Sequence, residues 1–211
     1  MNFFDIHDIA WEPFGYQLSF VELAGTVAGI FSVWLAAKEN KLTWVATIVN
    51  VICFFAIFYQ VQLYSNMLLQ VYFFFLSIYG WFTWNHQQRE GVPVRKLTTK
   101  QCIYLLVSIP ILTACLGWAT RWITTNHPAY LQAVAYPYVD AFIAIASIVA
   151  NTLLAKRIIE NWILWIIIDV FCIYLYAQQG ILLVMLEYAL FLILSSYGYF
   201  AWRKELNNDS R

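Results

Sequence analysis

Charge is what this sequence has least of. Only 11% of its 211 residues are Asp, Glu, Lys or Arg, against 62% hydrophobic residues, whereas a water-soluble domain carries about 25% charged residues. Twelve acids and twelve bases cancel to a net charge of zero. That balance removes the basic field on which nucleic-acid binding depends, so no nucleic-acid partner is expected. With a mean hydropathy of +0.65, too little polar surface remains to cover a soluble fold. The chain therefore reads as a multispanning membrane protein whose solvent is the lipid bilayer.

Metal-ligating and nucleophilic groups are scarce too. His7, His86 and His127 fall in arms and loops far apart in sequence, and Cys53, Cys102, Cys115 and Cys172 lie inside apolar segments without metal-ligand spacing. Neither a metal site nor a disulfide framework is expected, and the cysteines read as small apolar residues. No phosphate loop, nucleophile motif or zincin motif occurs, so no catalytic residue and no cofactor is assigned. Met1–Gln17 is acidic and lacks the basic start and apolar core of a signal peptide.

What the sequence does hold is seven apolar segments, at about 18–37, 43–60, 66–84, 101–119, 138–155, 162–178 and 181–202. Each is near the ~20 residues that cross a bilayer as a helix. They are continuous rather than alternating, which argues for helices over a barrel. Eleven of the twelve basic residues, from Lys38 to Arg211, follow odd-numbered segments; Arg121 is the exception, and the N-terminal arm carries Asp5, Asp8 and Glu12. Positive loops stay in the cytoplasm, which puts the N-terminus outside and the C-terminus inside.

The sequence also contains itself twice. Shifted by 118 positions, Glu22–Trp84 falls on Asp140–Trp202 without a gap, with 17 identities in 63 positions. They include Trp44 on Trp162, Gln60 on Gln178, Ser77 on Ser195, Tyr79-Gly80 on Tyr197-Gly198, and Trp84 on Trp202. Three spans per copy plus one between them make both copies cross the membrane in the same direction, a parallel repeat with a site between the halves. The expected organisation is an outer arm at 1–17, a three-helix unit at 18–84, and a second unit at 138–202. Residues 85–137 supply a cytoplasmic loop, a linking helix at about 101–119 and an outer loop, and a cytoplasmic tail ends the chain at 203–211.

Polar residues at membrane depth are costly in lipid and by default face a cavity or a partner. Trp162, Trp165 and Asp169 follow i, i+3, i+7 spacing and share a helix face; Asp169 aligns with Val51, next to Asn50. Glu187 and Tyr188 align with Leu69 and Gln70. Glu22 aligns with Asp140, and Asn151 extends the face of Asp140. Asp169 and Asn50 could serve only as bonds between helices, and Glu22 and Asp140 could be solvated at the interface. No Lys or Arg lies in any predicted span, while the chain holds 10 Trp, 14 Tyr and 16 Phe. Buried acids with aromatic faces suit a neutral or cationic ring compound, and amides with carboxylates suit hydroxyl groups such as a ribose diol. Aromatic residues such as Trp34, Trp81, Trp84, Trp118 and Trp202 could equally be interfacial anchors.

At these motifs the chain resembles the PnuC nicotinamide riboside transporters. The resemblance is carried by Leu69-Gln70-Val71-Tyr72-Phe73 followed by Tyr79-Gly80-Trp81 and Trp84, by Glu160-Asn161-Trp162-Ile163-Leu164-Trp165 leading to Asp169, by Glu187-Tyr188, and by Asn50, Gln60 and Tyr64. It covers residues 18–202. It implies an all-α, seven-helix, SWEET-like parallel 3+1+3 fold in the bacterial inner membrane. It also implies facilitated diffusion of nicotinamide riboside, with a cytosolic riboside kinase trapping the substrate. The expected substrate site comprises Asn50, Gln70, Asn151, Trp162, Trp165, Asp169, Glu187 and Tyr188, worked by alternating access of the two halves. Monomer and homo-oligomer both stay open. So do a proton-coupled carrier of another vitamin such as thiamine or riboflavin, with Asp169 or Glu187 as relay, and an intramembrane enzyme acting on lipid.

Overall fold

The computed structural model describes all residues except 1–2, 13–14, 62–63, 90–91, 127–135, 179–181 and 210–211. Two strands, β1 (Ile9–Trp11) and β2 (Leu18–Ser19), pair antiparallel ahead of α1 (Phe20–Ala37), α2 (Thr43–Gln60), α3 (Tyr64–Arg89), α4 (Thr99–Asn126), α5 (Pro137–Ala155), α6 (Glu160–Gln178) and α7 (Leu182–Asp209). All seven helices are long and apolar enough to cross a membrane. His127 and Arg211 lie outside the described residues.

The helix starts follow local chemistry. The Ser19 hydroxyl accepts from the Glu22 N–H at 3.3 Å, and Glu22 places a negative charge in the first turn of α1. Pro137 opens α5 and Asp140 sits in its first turn. Because Ser19 caps α1, the first helix begins at residue 20, and Leu18–Ser19 belong to a strand instead. The helices α3, α4 and α7 outrun their apolar segments. Their polar end turns, such as Asn85–Arg89 and Arg203–Asn208, keep helical backbone after leaving the hydrophobic register. Exposed apolar side chains such as Phe31, Phe75, Leu106, Ile193 and Phe200 cover the outer faces, as a lipid solvent requires.

Six helices close a ring. Within the first triple α2 packs on α1 and α3, within the second α6 packs on α5 and α7, and the triples meet where α1 packs on α7 and α3 on α5. The helix α4 lies outside this ring and packs on α5.

The core sits at the end that carries the α1–α2 and α5–α6 turns, hereafter the basic end. It is built twice. Trp44 and Trp84 meet edge to face with centroids 5.5 Å apart at 89°, and Trp162 and Trp202 do the same at 5.5 Å and 88°. A Cβ on Gly80 would lie 2.5 Å from the Trp44 ring, and one on Gly198 2.6 Å from the Trp162 ring, so only glycine leaves each indole its slot. The Trp84 Nε1–H donates across the halves to the Leu154 carbonyl at 3.1 Å, and the Trp202 Nε1–H to the Ala36 carbonyl at 3.1 Å. Residue 154 is 118 positions beyond 36, so the two bonds are counterparts. Trp84 and Trp202 themselves meet between the halves at 6.0 Å. The interfacial reading of Trp84 and Trp202 therefore fails, because both are fully buried.

The two turns add a second reciprocal contact. Glu39 and Arg157 are repeat counterparts, both with left-handed backbone at φ 54° and 55°, a conformation uncommon outside glycine. They pair with each other as a salt bridge between the halves. Arg157 also donates to the Val92 carbonyl at 2.6 Å and lies 3.5 Å from Glu205.

Candidate functional site

Going from the basic end toward the N-terminal arm, the symmetry is lost and polar groups appear. On α6, Asp169 is 2% exposed and accepts from the Ser195 hydroxyl of α7 at 3.0 Å. A bare carboxylate at that burial is costly, and this bond offsets part of the cost. One turn further, Cys172 faces Tyr188, whose ring stacks on Tyr176 with centroids 5.5 Å apart and planes at 12°. Phe191 meets Tyr188 edge to face at 6.0 Å. Trp165 packs with Tyr176 and Tyr188 around Ala146, Ala150, Ile168 and Cys172.

Asn50 approaches from the other half. Its Nδ2 donates to the Gly25 carbonyl of α1 at 2.8 Å. Both Asn50 and the Phe191 ring border the small face of α1 at Gly29, so α2 and α7 meet there through α1. Glu187 faces Thr26 and Glu22 of α1. Glu22 in turn accepts from the Tyr16 hydroxyl of the arm at 2.5 Å. Burial, then that hydrogen bond, then the nearby charges of Glu22 and Glu187, hold the Tyr16 phenol well above the ordinary tyrosine range. The arm is further tied down by Gln60, which donates to the Phe4 carbonyl at 2.6 Å.

The structure thus brings Trp165, Asp169, Glu187 and Tyr188 together on α6 and α7, and seats Asn50 of α2 against the stretch of α1 that Phe191 of α7 also borders. It leaves Gln70 and Asn151 half-buried on α3 and α5, on the side of the ring where Tyr72 and Thr152 hydroxyls meet at 3.0 Å. Trp162 does not belong with the others. It is 1% exposed, wedged on Gly198 and against Trp202 in the basic-end core. Its spacing to Asp169 gives the same helix face but a different depth, because seven residues are about 10 Å along the axis. Asp140, the counterpart of Glu22, is exposed.

Sequence reasoning missed Tyr176 and Phe191 and marked Ser195 only as the match of Ser77 between the two copies. Helical spacing was a usable signal: Tyr176 lies seven residues after Asp169, and Tyr188, Phe191 and Ser195 follow i, i+3, i+7. The cluster has acids, amides, hydroxyls and stacked rings. No Lys or Arg occurs in residues 20–37, 43–60, 64–84, 137–155, 160–178 or 182–202. Among the described residues no group of His, Cys, Asp and Glu could hold a metal ion.

The family profile described as nicotinamide mononucleotide transporter matches residues 19–204. The chain is 32% identical over 225 residues to the nicotinamide riboside transporter PnuC of Escherichia coli (strain K12), covering 96% of this chain and 94% of that one. It is 22% identical over 202 residues to the riboflavin/roseoflavin transporter RibM of Streptomyces davaonensis, covering 96% and 93%. The crystal structure of the vitamin B3 transporter PnuC superposes with a TM-score of 0.69 at 22% identity, over 90% of this chain and 83% of that chain, which shows a shared fold.

Proposed function

The chain belongs to the nicotinamide mononucleotide transporter family, and from that premise we propose that it carries nicotinamide riboside across the bacterial inner membrane. The observation that carries this reading is the acid and aromatic cluster on α6 and α7, which meets α1 of the other half at Glu187 and Phe191 and contains no base. Nicotinamide riboside is a pyridinium cation joined to a ribose. A stacked tyrosine pair and buried carboxylates attract such a ring, and amides and carboxylates bond its hydroxyls. A phosphorylated riboside is an anion, for which a site would normally supply Lys, Arg or a helix terminus. The family name speaks of the mononucleotide, whereas the site chemistry favours the riboside.

In this reading the ring of the substrate stacks on Tyr188, parting it from Tyr176, with Trp165 closing the pocket. Asp169, Glu187 and Asn50 take hydroxyl and carboxamide groups, and Gln70 and Asn151 join from α3 and α5 as the halves close. Trp162 is scaffold. The halves rock about the substrate, and the basic end faces the cytoplasm. Opening that end separates Glu39 from Arg157 and breaks the bonds of Trp84 and Trp202 to the opposite half. Transport is facilitated diffusion, and a cytosolic riboside kinase traps the product.

The test is uptake of labelled nicotinamide riboside into liposomes holding the purified protein. Asn50→Ala, Gln70→Ala and Glu187→Ala each remove a polar partner, for which about 1–3 kcal/mol is expected, or roughly 5- to 150-fold in uptake. Unimpaired uptake in all three rules out this site. Uptake in kinase-free vesicles that collapses with a protonophore would replace facilitated diffusion with proton coupling.

A further inference from the structure

A groove of about 630 Å³ lies outside the ring, at the basic end, between the start of α4, the end of α5 and the α3–α4 connection. Four cations line it: Arg95, Lys96, Lys100 and Lys156. Backbone bonds set two of them on one rim. The Arg95 N–H donates to the Arg157 carbonyl at 2.9 Å and the Ile159 N–H donates to the Arg95 carbonyl at 3.0 Å, which pins the connection to the α5–α6 turn beside Lys156. Glu160 is held against this connection, accepting from the Leu97 N–H at 3.1 Å. Among the described residues no ion pair engages the four cations. Like charges gathered this way repel and gain by sharing an anion.

Apart from Gln101 and Tyr104 the rest of the groove is aliphatic, with Leu97, Leu105, Ile158 and the buried Leu153 in its wall. The wall runs into the face of α4 that carries Tyr104, Val107 and Ile111 at i, i+3, i+7 spacing, which are 73%, 53% and 56% exposed. An occupant that matches both parts carries negative phosphate at one end and hydrocarbon at the other. We propose that this groove binds the headgroup of an anionic phospholipid, with the phosphate among the four cations and the acyl chains along α4. The site is separate from the transport cluster, and its test stands whatever the chain carries.

The test is native mass spectrometry of the full-length protein in detergent. It is titrated with phosphatidylglycerol, with phosphatidylethanolamine of the same acyl chains, and with inorganic phosphate. The expected result is at least tenfold tighter binding of phosphatidylglycerol, undisturbed by equal concentrations of phosphate. Neutralising the groove (R95Q/K96Q/K100Q/K156Q) removes the preference. Neutralising two cations of the same end outside the groove (R203Q/K204Q) leaves it. Equal binding of the two lipids by the unaltered protein overturns the proposal. So does displacement by phosphate, which would make the groove a free-anion site, and so does an equal loss in R203Q/K204Q. If the quadruple variant does not fold, Lys100→Glu carries the comparison, and an unchanged preference overturns the proposal.

Discussion

Ser77 and Ser195 are the same residue at the same place in two helix triples, both about fully buried, and they do different work. The Ser77 hydroxyl turns back to the Phe73 carbonyl of its own helix at 2.7 Å. The Ser195 hydroxyl donates to Asp169, the counterpart of Val51. One position earlier the exchange reverses. Asn50 of the first triple reaches the α1 backbone at Gly25, while its counterpart Ile168 packs on Ala146 and Ala150. At the basic end the halves repeat each other down to the interplanar angle of the tryptophans. Toward the arm they alternate polar with apolar. Identity between the copies marks the basic-end core, and the proposed site falls where the copies differ, as an asymmetric solute requires.

This contrast can be broken at several points. The largest expected effect is at the two glycines. Gly80→Ala and Gly198→Ala each drive a methyl into an indole, and overpacking of this kind costs about 1–3 kcal/mol or more. Thermal unfolding in detergent should show both variants lowered by similar amounts, since the slots are alike. A large loss at one and none at the other would break the equivalence. Next come exchanges between counterparts. Asn50→Ile gives the first half the residue of the second and should cut uptake roughly 10- to 100-fold, because it removes an amide from the proposed site, while loss of its bond to the Gly25 carbonyl should lower stability by only about 1 kcal/mol. Asp169→Val, the reverse sense in the other half, should do likewise and should free the Ser195 hydroxyl. If either exchange is silent in a transport assay, the mismatched positions are not the site.

Smaller effects belong to the bonds across the halves. Trp84→Phe and Trp202→Phe each remove one N–H donor, worth about 1 kcal/mol, while the Leu154 and Ala36 carbonyls keep the Arg157 and Glu39 N–H groups. Stability should fall by matching amounts, again read by thermal unfolding. The smallest effect is expected from Glu39→Gln. It weakens an ion pair that has other partners at Arg157, and it should bias the carrier toward opening at the basic end, measured as labelling of a cysteine placed at Ala36. Unchanged labelling would remove the pair from the gating scheme.

Much of this was legible in the sequence, for identifiable reasons. The seven apolar runs follow from bilayer thickness, and all seven are helices. The matches of Trp44 with Trp162, Gly80 with Gly198 and Trp84 with Trp202 were visible as identities, because an indole seated on a glycine tolerates no substitute at either member. The site was legible in part. Asp169 and Glu187 stand out because charge is expensive at that depth. Tyr176 and Phe191 do not, because an aromatic residue in an apolar helix carries no signature of what it stacks on. Trp162 was placed in the site because periodicity reports a face and not a depth. The N-terminal hairpin was not legible either, since strands of three and two residues show no period.

The most direct test of the central claim compares two solutes that differ by one phosphate. Purified protein in kinase-free liposomes is given labelled nicotinamide riboside or labelled nicotinamide mononucleotide at the same concentration. A site of acids, amides and stacked rings without a base predicts that the riboside equilibrates across the bilayer, while the mononucleotide neither enters nor competes. Entry of the mononucleotide at a comparable rate would contradict it.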